Sequence, residues 1–438
     1  MLVTTGNTSR SVPAESKTPS MLPAGNLGPF FLVTSLFFLW GIPNNLNDIL
    51  IRQFMKSFAL TRFEGGLVQS AFYLGYFLLA MPAALLMQRA GYKAGMLTGL
   101  LLFATGTFLF WPAAIVQQYW FFLLALFVMA SGLAFLETAS NPFIAQVGAA
   151  ESSERRLNFS QAFNPLGSIT GAGVGTVFIL SGIELTKAQV AAKIAAGTYA
   201  AYLRTETLRV VAPYLVLGAV ALVLAGLIAR TKFPVIQSEH EGEASEYGQV
   251  SDLLGQRHFV LGVIAQFLYV GAQVGTWSYF IQYVQDYTHE PEKVAGYFLI
   301  GTLVAFGVGR FVSAYLMQFV DAGRLMGSYA VVNLLLLGVG VLHPGWMGLW
   351  CVFGTSLFMS LMFPTIFALG LKGLGANTKI GGSLLVMAIV GGAVLTPVMG
   401  LISGRTGSIA LAYLVPMVGY GFVTFYAFVG SRVKRIEV

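Results

Sequence analysis

The chain has 438 residues, of which 56% are hydrophobic and only 10% charged, with a mean hydropathy of +0.75. A soluble domain carries about a quarter charged residues, so this composition excludes one and leaves a polytopic membrane protein. The long unbroken apolar runs exclude a transmembrane barrel. The net charge of +7 is read as Lys and Arg on cytoplasmic loops, not as a nucleic-acid surface.

Residues 1–28 are polar and rich in Ser, Thr, Pro and Gly. They lack the apolar core of a cleavable signal peptide and are read as a disordered cytoplasmic tail. A span needs about 20 mostly apolar residues. By that rule twelve are expected, near 29–50, 64–88, 94–114, 119–144, 160–181, 211–230, 258–284, 294–318, 325–343, 346–371, 379–403 and 408–430.

The first span ends in "LWGIPNNLNDILIRQ", Leu39 to Gln53. Asn44 and Asp48 are four apart and Asn45 and Asp48 three apart, so on a helix they share a face. One reading is a wet cavity, with Pro43 loosening the helix. The other is a helix end in the outer headgroups, which Arg52 would suit. The second span closes on "ALLMQRAGYKAG" and the eighth on "AYLMQFVDAGRLMG", an offset of 230 residues. That weak duplication fits two six-helix halves related by an axis along the membrane normal. The expected fold is therefore an all-α membrane protein of twelve transmembrane helices in two halves, 29–230 and 258–430.

The fourth span carries "ASGLAFLETASNPF". Glu137 has no cation near it in sequence. A charged acid at the bilayer centre costs about 2.5–3.5 kcal/mol on insertion scales, so such a residue is a candidate proton relay. The alternative is a structural hydrogen bond. The fifth span opens "NFSQAFNPLGS", where Gln161, Asn164 and Ser168 form a polar stripe. A charged segment follows the sixth span, and residues 231–257 are read as a cytoplasmic linker. The seventh span holds Gln266, Gln273, Trp277, Tyr279 and Gln282. Amides bond hydroxyls in both directions and rings stack on sugar C–H faces. The alternatives are amides gluing helices together and rings in an aromatic belt.

Arg310 is the only basic residue deep in an expected span, and its partner cannot be assigned from sequence. Cys351, the single cysteine, is read as a packing residue. The pairs Gly381–Gly382 and Gly391–Gly392 suit close helix packing. Residues 431–438 are read as a cytoplasmic tail. With the N-terminus inside, fifteen Lys and Arg fall on inside segments and nine outside, so both termini are expected in the cytoplasm. No phosphate-cradling loop, HExxH or GxSxG set occurs. Hence no enzyme, cofactor or metal site is expected.

These motifs, with "RRLNFSQAFN", "FPTIFALGLKGLG" and "GGAVLTPVMG", resemble the fucose–proton symporter family of the major facilitator superfamily. The likeness spans nearly the whole chain from about residue 29. It implies proton-coupled symport of a neutral monosaccharide, L-fucose first, by a monomer in the bacterial inner membrane. It implies Glu137 and Asp48 in proton coupling. Substrate contacts are expected from Asp48, Asn44, Asn45, Gln161, Asn164, Gln273, Trp277 and Tyr279. Other members carry glucose, galactose or N-acetylglucosamine, and sodium coupling is the lesser alternative. A non-transporting sugar sensor is more distant. The chain departs from the family pattern at Pro165, in the site, and at Gly404, expected at the cytoplasmic gate.

Overall fold

The computed structural model describes residues 26–148, 156, 159–234, 250–317, 319–374 and 377–431. The expected tails, but for 26–28 and 431, the charged loop before the fifth span and the middle of the linker lie outside them. Eleven helices among the described residues are long and apolar enough to cross a membrane. In the first half these are α1 (Leu27–Ser57), α2 (Arg62–Met87), α3 (Arg89–Val116), α4 (Tyr119–Ile144) and, after α5, α6 (Val211–Arg230). The fifth segment, α5 (Phe163–Val174), continues as the π-helical turn Gly175–Ile179. It completes the twelve expected crossings. The second half holds α7 (Arg257–Ser278), α8 (Glu292–Leu316), α9 (Ala322–Leu342), α10 (Trp346–Leu371), α11 (Leu384–Thr406) and α12 (Ile409–Gly430). Twelve crossings put Leu27 and Gly430 at the same end of the bundle, the near end. Ser57, Arg62 and Glu292 mark the far end.

Local chemistry sets the ends. Thr61 caps α2 in a reciprocal box with Glu64, satisfying two otherwise orphan donors. Gly91 takes φ 78° and ψ 170°, an extended positive-φ conformation open in practice only to glycine, and so breaks the helix between α2 and α3. α1 does not stop near residue 50. It runs through Pro43 to Ser57, so Asp48 stands nine residues, about 14 Å at 1.5 Å each, inside the helix end. The headgroup reading of the asparagine cluster falls with that observation.

Glycines let α1 and α5 touch backbone to backbone. A Cβ on Gly167 would strike the Phe38 carbonyl, one on Gly171 the Ile42 carbonyl, and one on Gly41 the Asn164 carbonyl. Small residues are what permit such approach in membranes. Gly167→Val is expected to force the helices apart at a cost of about 1–3 kcal/mol, read as a lower Tm of the detergent-purified protein. Gly391 plays the same part in α11, against the Phe267 carbonyl.

The outer surface is apolar, as a lipid-facing wall must be: Phe311, Leu342 and Phe319 are all more than two-thirds exposed. Trp111, Trp120, Trp346 and Trp350 are also exposed, at the far-end tips of α3, α4 and α10. They make the aromatic belt, from which Trp277 and Tyr279 are absent because both are buried.

Candidate functional site at the seam of the two halves

A cavity of about 220 Å³ opens between the halves, near mid-depth. The first half lines it mainly with polar groups: Asn44, Asn45 and Asp48 from α1, Gln69, Tyr73 and Tyr76 from α2, Glu137 from α4, and Asn164 and Ser168, with the apolar Pro165 between them, from α5. The second half lines it mainly with apolar and aromatic groups, including Val270, Val274 and Trp277 from α7, Leu303 and Phe306 from α8, and Phe363 from α10. Gln273 and Arg310 are its polar contributions. Of the sequence candidates, Asp48, Glu137, Asn44, Asn45, Asn164, Gln273 and Trp277 thus come together.

The two acids are held differently. Asp48 accepts from Asn45 Nδ2 at 3.0 Å, from Gln69 Nε2 at 2.9 Å and from Ser278 Oγ at 2.9 Å. The last donor belongs to the other half. Gln69 Nε2 also donates to Ser278 Oγ at 3.0 Å, closing a triangle. The Glu137 carboxyl has no hydrogen bond or ion pair among the described residues, and its closest helical neighbour of note, Asn141, donates to its backbone carbonyl instead. Asp48 is therefore fixed by donors, while Glu137 faces the cavity and the Tyr73 and Tyr76 phenols uncommitted.

The aromatic wall is also fixed. Trp277 Nε1 donates to Ser356 Oγ at 3.0 Å, and Thr302 Oγ1 donates to the same oxygen at 2.6 Å. The indole meets Phe306 edge to face at 5.1 Å. The Arg310 guanidinium lies over the other ring partner of that ladder, 5.1 Å from the Phe306 centroid. Its partner is thus a π-face, a recognised cation site, and no acid pairs with it among the described residues.

Two expected site residues are elsewhere. Gln161 is exposed before the start of α5, where its Nε2 donates to Asn141 Oδ1 at 3.3 Å. It is one turn short of Asn164, on the near-end side of the cavity. Tyr279 is wholly buried at the break after α7 and donates to the Arg62 carbonyl at 2.6 Å. The break after Ser278 turns it away from the face that Gln273 and Trp277 share. Gly66 and Gly400 make room for its hydroxyl, so it belongs to the far-end contact. Gly404 is likewise at the far end, one residue past Ser403, which Arg62 Nη1 contacts. It stands at the opposite end of the bundle from Leu27 and Gly430. Gln266 is buried within the second half. Sequence reasoning missed Gln69, Tyr73, Tyr76, Ser278 and Phe306. Gln69, Tyr73 and Tyr76 repeat at four and three, the helical spacing that picked out α1, in a segment passed over as simply apolar.

Among the described residues, hydrogen bonds and ion pairs join the halves at the level of Asp48 and farther out. Arg62 pairs with Asp286, and Gln285 with Glu184. Glu292, wholly buried at the start of α8, accepts from Lys56 Nζ at 3.0 Å and from the Gly182 amide at 2.7 Å. Arg52 stands 3.9 Å from its other oxygen. The halves are clasped at the far end.

Two helical halves, a polar cavity at their seam and a closure on one side define a membrane carrier of the alternating-access kind. The chain belongs to the Major Facilitator Superfamily, whose pattern matches residues 30–379, and within it to the family of the fucose–proton symporters. It is 42% identical to the L-fucose-proton symporter of Escherichia coli K12 over 405 residues, 91% of this chain and 92% of that one. It is 37% identical to the glucose/galactose transporter of Brucella abortus over 413 residues, 91% of this chain and 93% of that one. The crystal structure of the E. coli fucose transporter FucP in the outward conformation superposes with a TM-score of 0.69 at 41% identity, covering 92% of this chain and 98% of that one.

Proposed function

We infer that the protein imports a neutral monosaccharide, L-fucose, together with a proton. The observation that carries this reading is the two-sided cavity, with amides and two acids facing the Trp277–Phe306 wall. Sugars need that pairing of hydroxyl partners and ring faces. The identity to L-fucose-proton symporters supports the particular sugar and the coupling ion. Asp48, Asn44, Asn45, Asn164, Gln273 and Trp277 bind sugar. Glu137 takes the proton, because its carboxyl has no fixed donor to hold the charged form.

With the far end open, Glu137 is neutralised from outside and sugar enters. The halves, 29–230 and 258–430, then rock about the cavity. The far end closes and both cargoes leave at the near end, which the Lys and Arg distribution assigns to the cytoplasm. The far-end clasp described above belongs to this inward-facing state. The carrier works as a monomer in the inner membrane. A second reading, glucose or galactose as substrate, rests on the 37% identity to a glucose/galactose transporter.

The test is uptake of radiolabelled L-fucose into proteoliposomes under an inward proton gradient without sodium. One pH unit is worth about 1.36 kcal/mol, so one proton per sugar supports about tenfold accumulation. Accumulation near that value, lost with a protonophore, is the expected result. Competition only by unlabelled glucose or galactose would move the substrate to the second reading. Accumulation that needs sodium would replace the proton.

A further inference from the structure

Asp48 presents a carboxylate whose two oxygens offer about four lone-pair positions. In the clasped state Oδ1 has both of its positions filled, by Gln69 Nε2 and Ser278 Oγ at 2.9 Å each. Oδ2 has one filled, by Asn45 at 3.0 Å. Three of the four are therefore occupied by protein donors. Gln69 and Asn45 share the first half with Asp48 and travel with it. Ser278 alone comes from the second half, at the last residue of α7, and is almost fully buried. Opening the far end separates the halves at this level, so it withdraws that one donor and frees one position on Oδ1.

We propose that Ser278 is a positioning residue that expels the sugar: when the far end closes, its hydroxyl takes the place on Asp48 that a sugar hydroxyl holds while the far end is open. This rests on the reading that Asp48 binds sugar. Affinity then falls on the side where release is needed, by exchange of one hydroxyl for another on the same oxygen. The exchange keeps a donor on that Asp48 oxygen in both states, so the carboxylate is not left short of a partner on either side. Binding and closure oppose each other through one atom, as linkage requires.

The experiment is equilibrium binding of radiolabelled L-fucose to the purified full chain, with turnover measured in proteoliposomes. Ser278→Ala removes the competitor. Its expected result is about tenfold tighter binding with several-fold slower turnover, since release is delayed. Ser278→Thr keeps the hydroxyl and is expected to restore both values. Ser70→Ala is the control. It removes a different bond between the halves, Ser70 Oγ to the Ala393 carbonyl at 2.6 Å, without touching Asp48, and its affinity is expected to stay as in the parent. A damaged protein binds more weakly, so tightening cannot come from misfolding. Unchanged or weaker binding by Ser278→Ala overturns the proposal. Equal tightening by Ser70→Ala also overturns it, since any loosening of the clasp would then suffice. If the parent protein binds neither L-fucose nor D-glucose, the sugar-carrier reading itself fails and this inference fails with it. If the parent binds and only the tightening is missing, the carrier reading stands.

Discussion

Glu137→Gln abolishes accumulation while leaving exchange. The variant is expected to equilibrate sugar across the membrane, with a final ratio near one where the parent reaches about tenfold per pH unit. The side chain keeps its shape and hydrogen-bonding reach but cannot carry a proton. The reason for choosing this acid over Asp48 is the difference in their surroundings. Asp48 has three donors within 3.0 Å, each of which stabilises a charge. Glu137 has none among the described residues. A bare charge at that depth costs about 2.5–3.5 kcal/mol, so the empty carrier gains by neutralising it. Counterflow of labelled L-fucose against unlabelled internal sugar reads exchange, and a proton-gradient assay reads accumulation. Counterflow should persist and lose its dependence on pH. A Glu137→Gln variant that still concentrates sugar on a pH gradient would remove Glu137 from the proton role.

Glu292→Gln opens the far end. The native carboxylate is wholly buried and reaches from the second half into a pocket of the first. It faces Lys56 at 3.0 Å, Arg52 at 3.9 Å and the Gly182 amide at 2.7 Å. Its place at the first turn of α8 also suits the helix dipole. Removing one charge from a buried pair is expensive because its partner is left uncompensated. Here Lys56 keeps Glu206 at 3.2 Å and Arg52 keeps Glu184 at 3.7 Å. The expected loss is accordingly about 1–3 kcal/mol, a shift of about 5–150-fold toward the far-open state. Gln282 reports it: the residue is buried against Met55 of the other half. A cysteine there, with Cys351 replaced by Ala, should react with an impermeant maleimide from the far side about tenfold faster or more in the Glu292→Gln background. No change in rate would mean that the packing of Gly66 and Gly400 around Tyr279 holds the end shut without the ion pairs.

Both experiments probe the same equilibrium from opposite ends. Under the proposed cycle Glu137 decides whether the loaded cavity can move, and Glu292 how firmly the far end stays closed. Ser278 lies between them, on the Asp48 oxygen that, under the inference above, the sugar and the closed state share.

Much of this was written in local sequence. Apolar segments of membrane length had to become helices, because only a closed backbone satisfies its own polar groups in lipid. Asn44, Asn45 and Asp48 had to share a face at three- and four-residue spacing. Glu137, a lone acid in an apolar run, stood out as a candidate by its cost. What tertiary structure decided was the choice of partners. Ser278 and Asp48 are 230 residues apart, and no periodicity links one helix to another. Gln161 and Tyr279 have the right chemistry, but one lies a turn short of the cavity and the other beyond a break in α7. The fold could be read from the chain because hydrophobic length and spacing are properties of single segments. The clasp, the filled oxygen of Asp48 and the membership of the site depend on how two separate halves meet, and that surface changes as the carrier works.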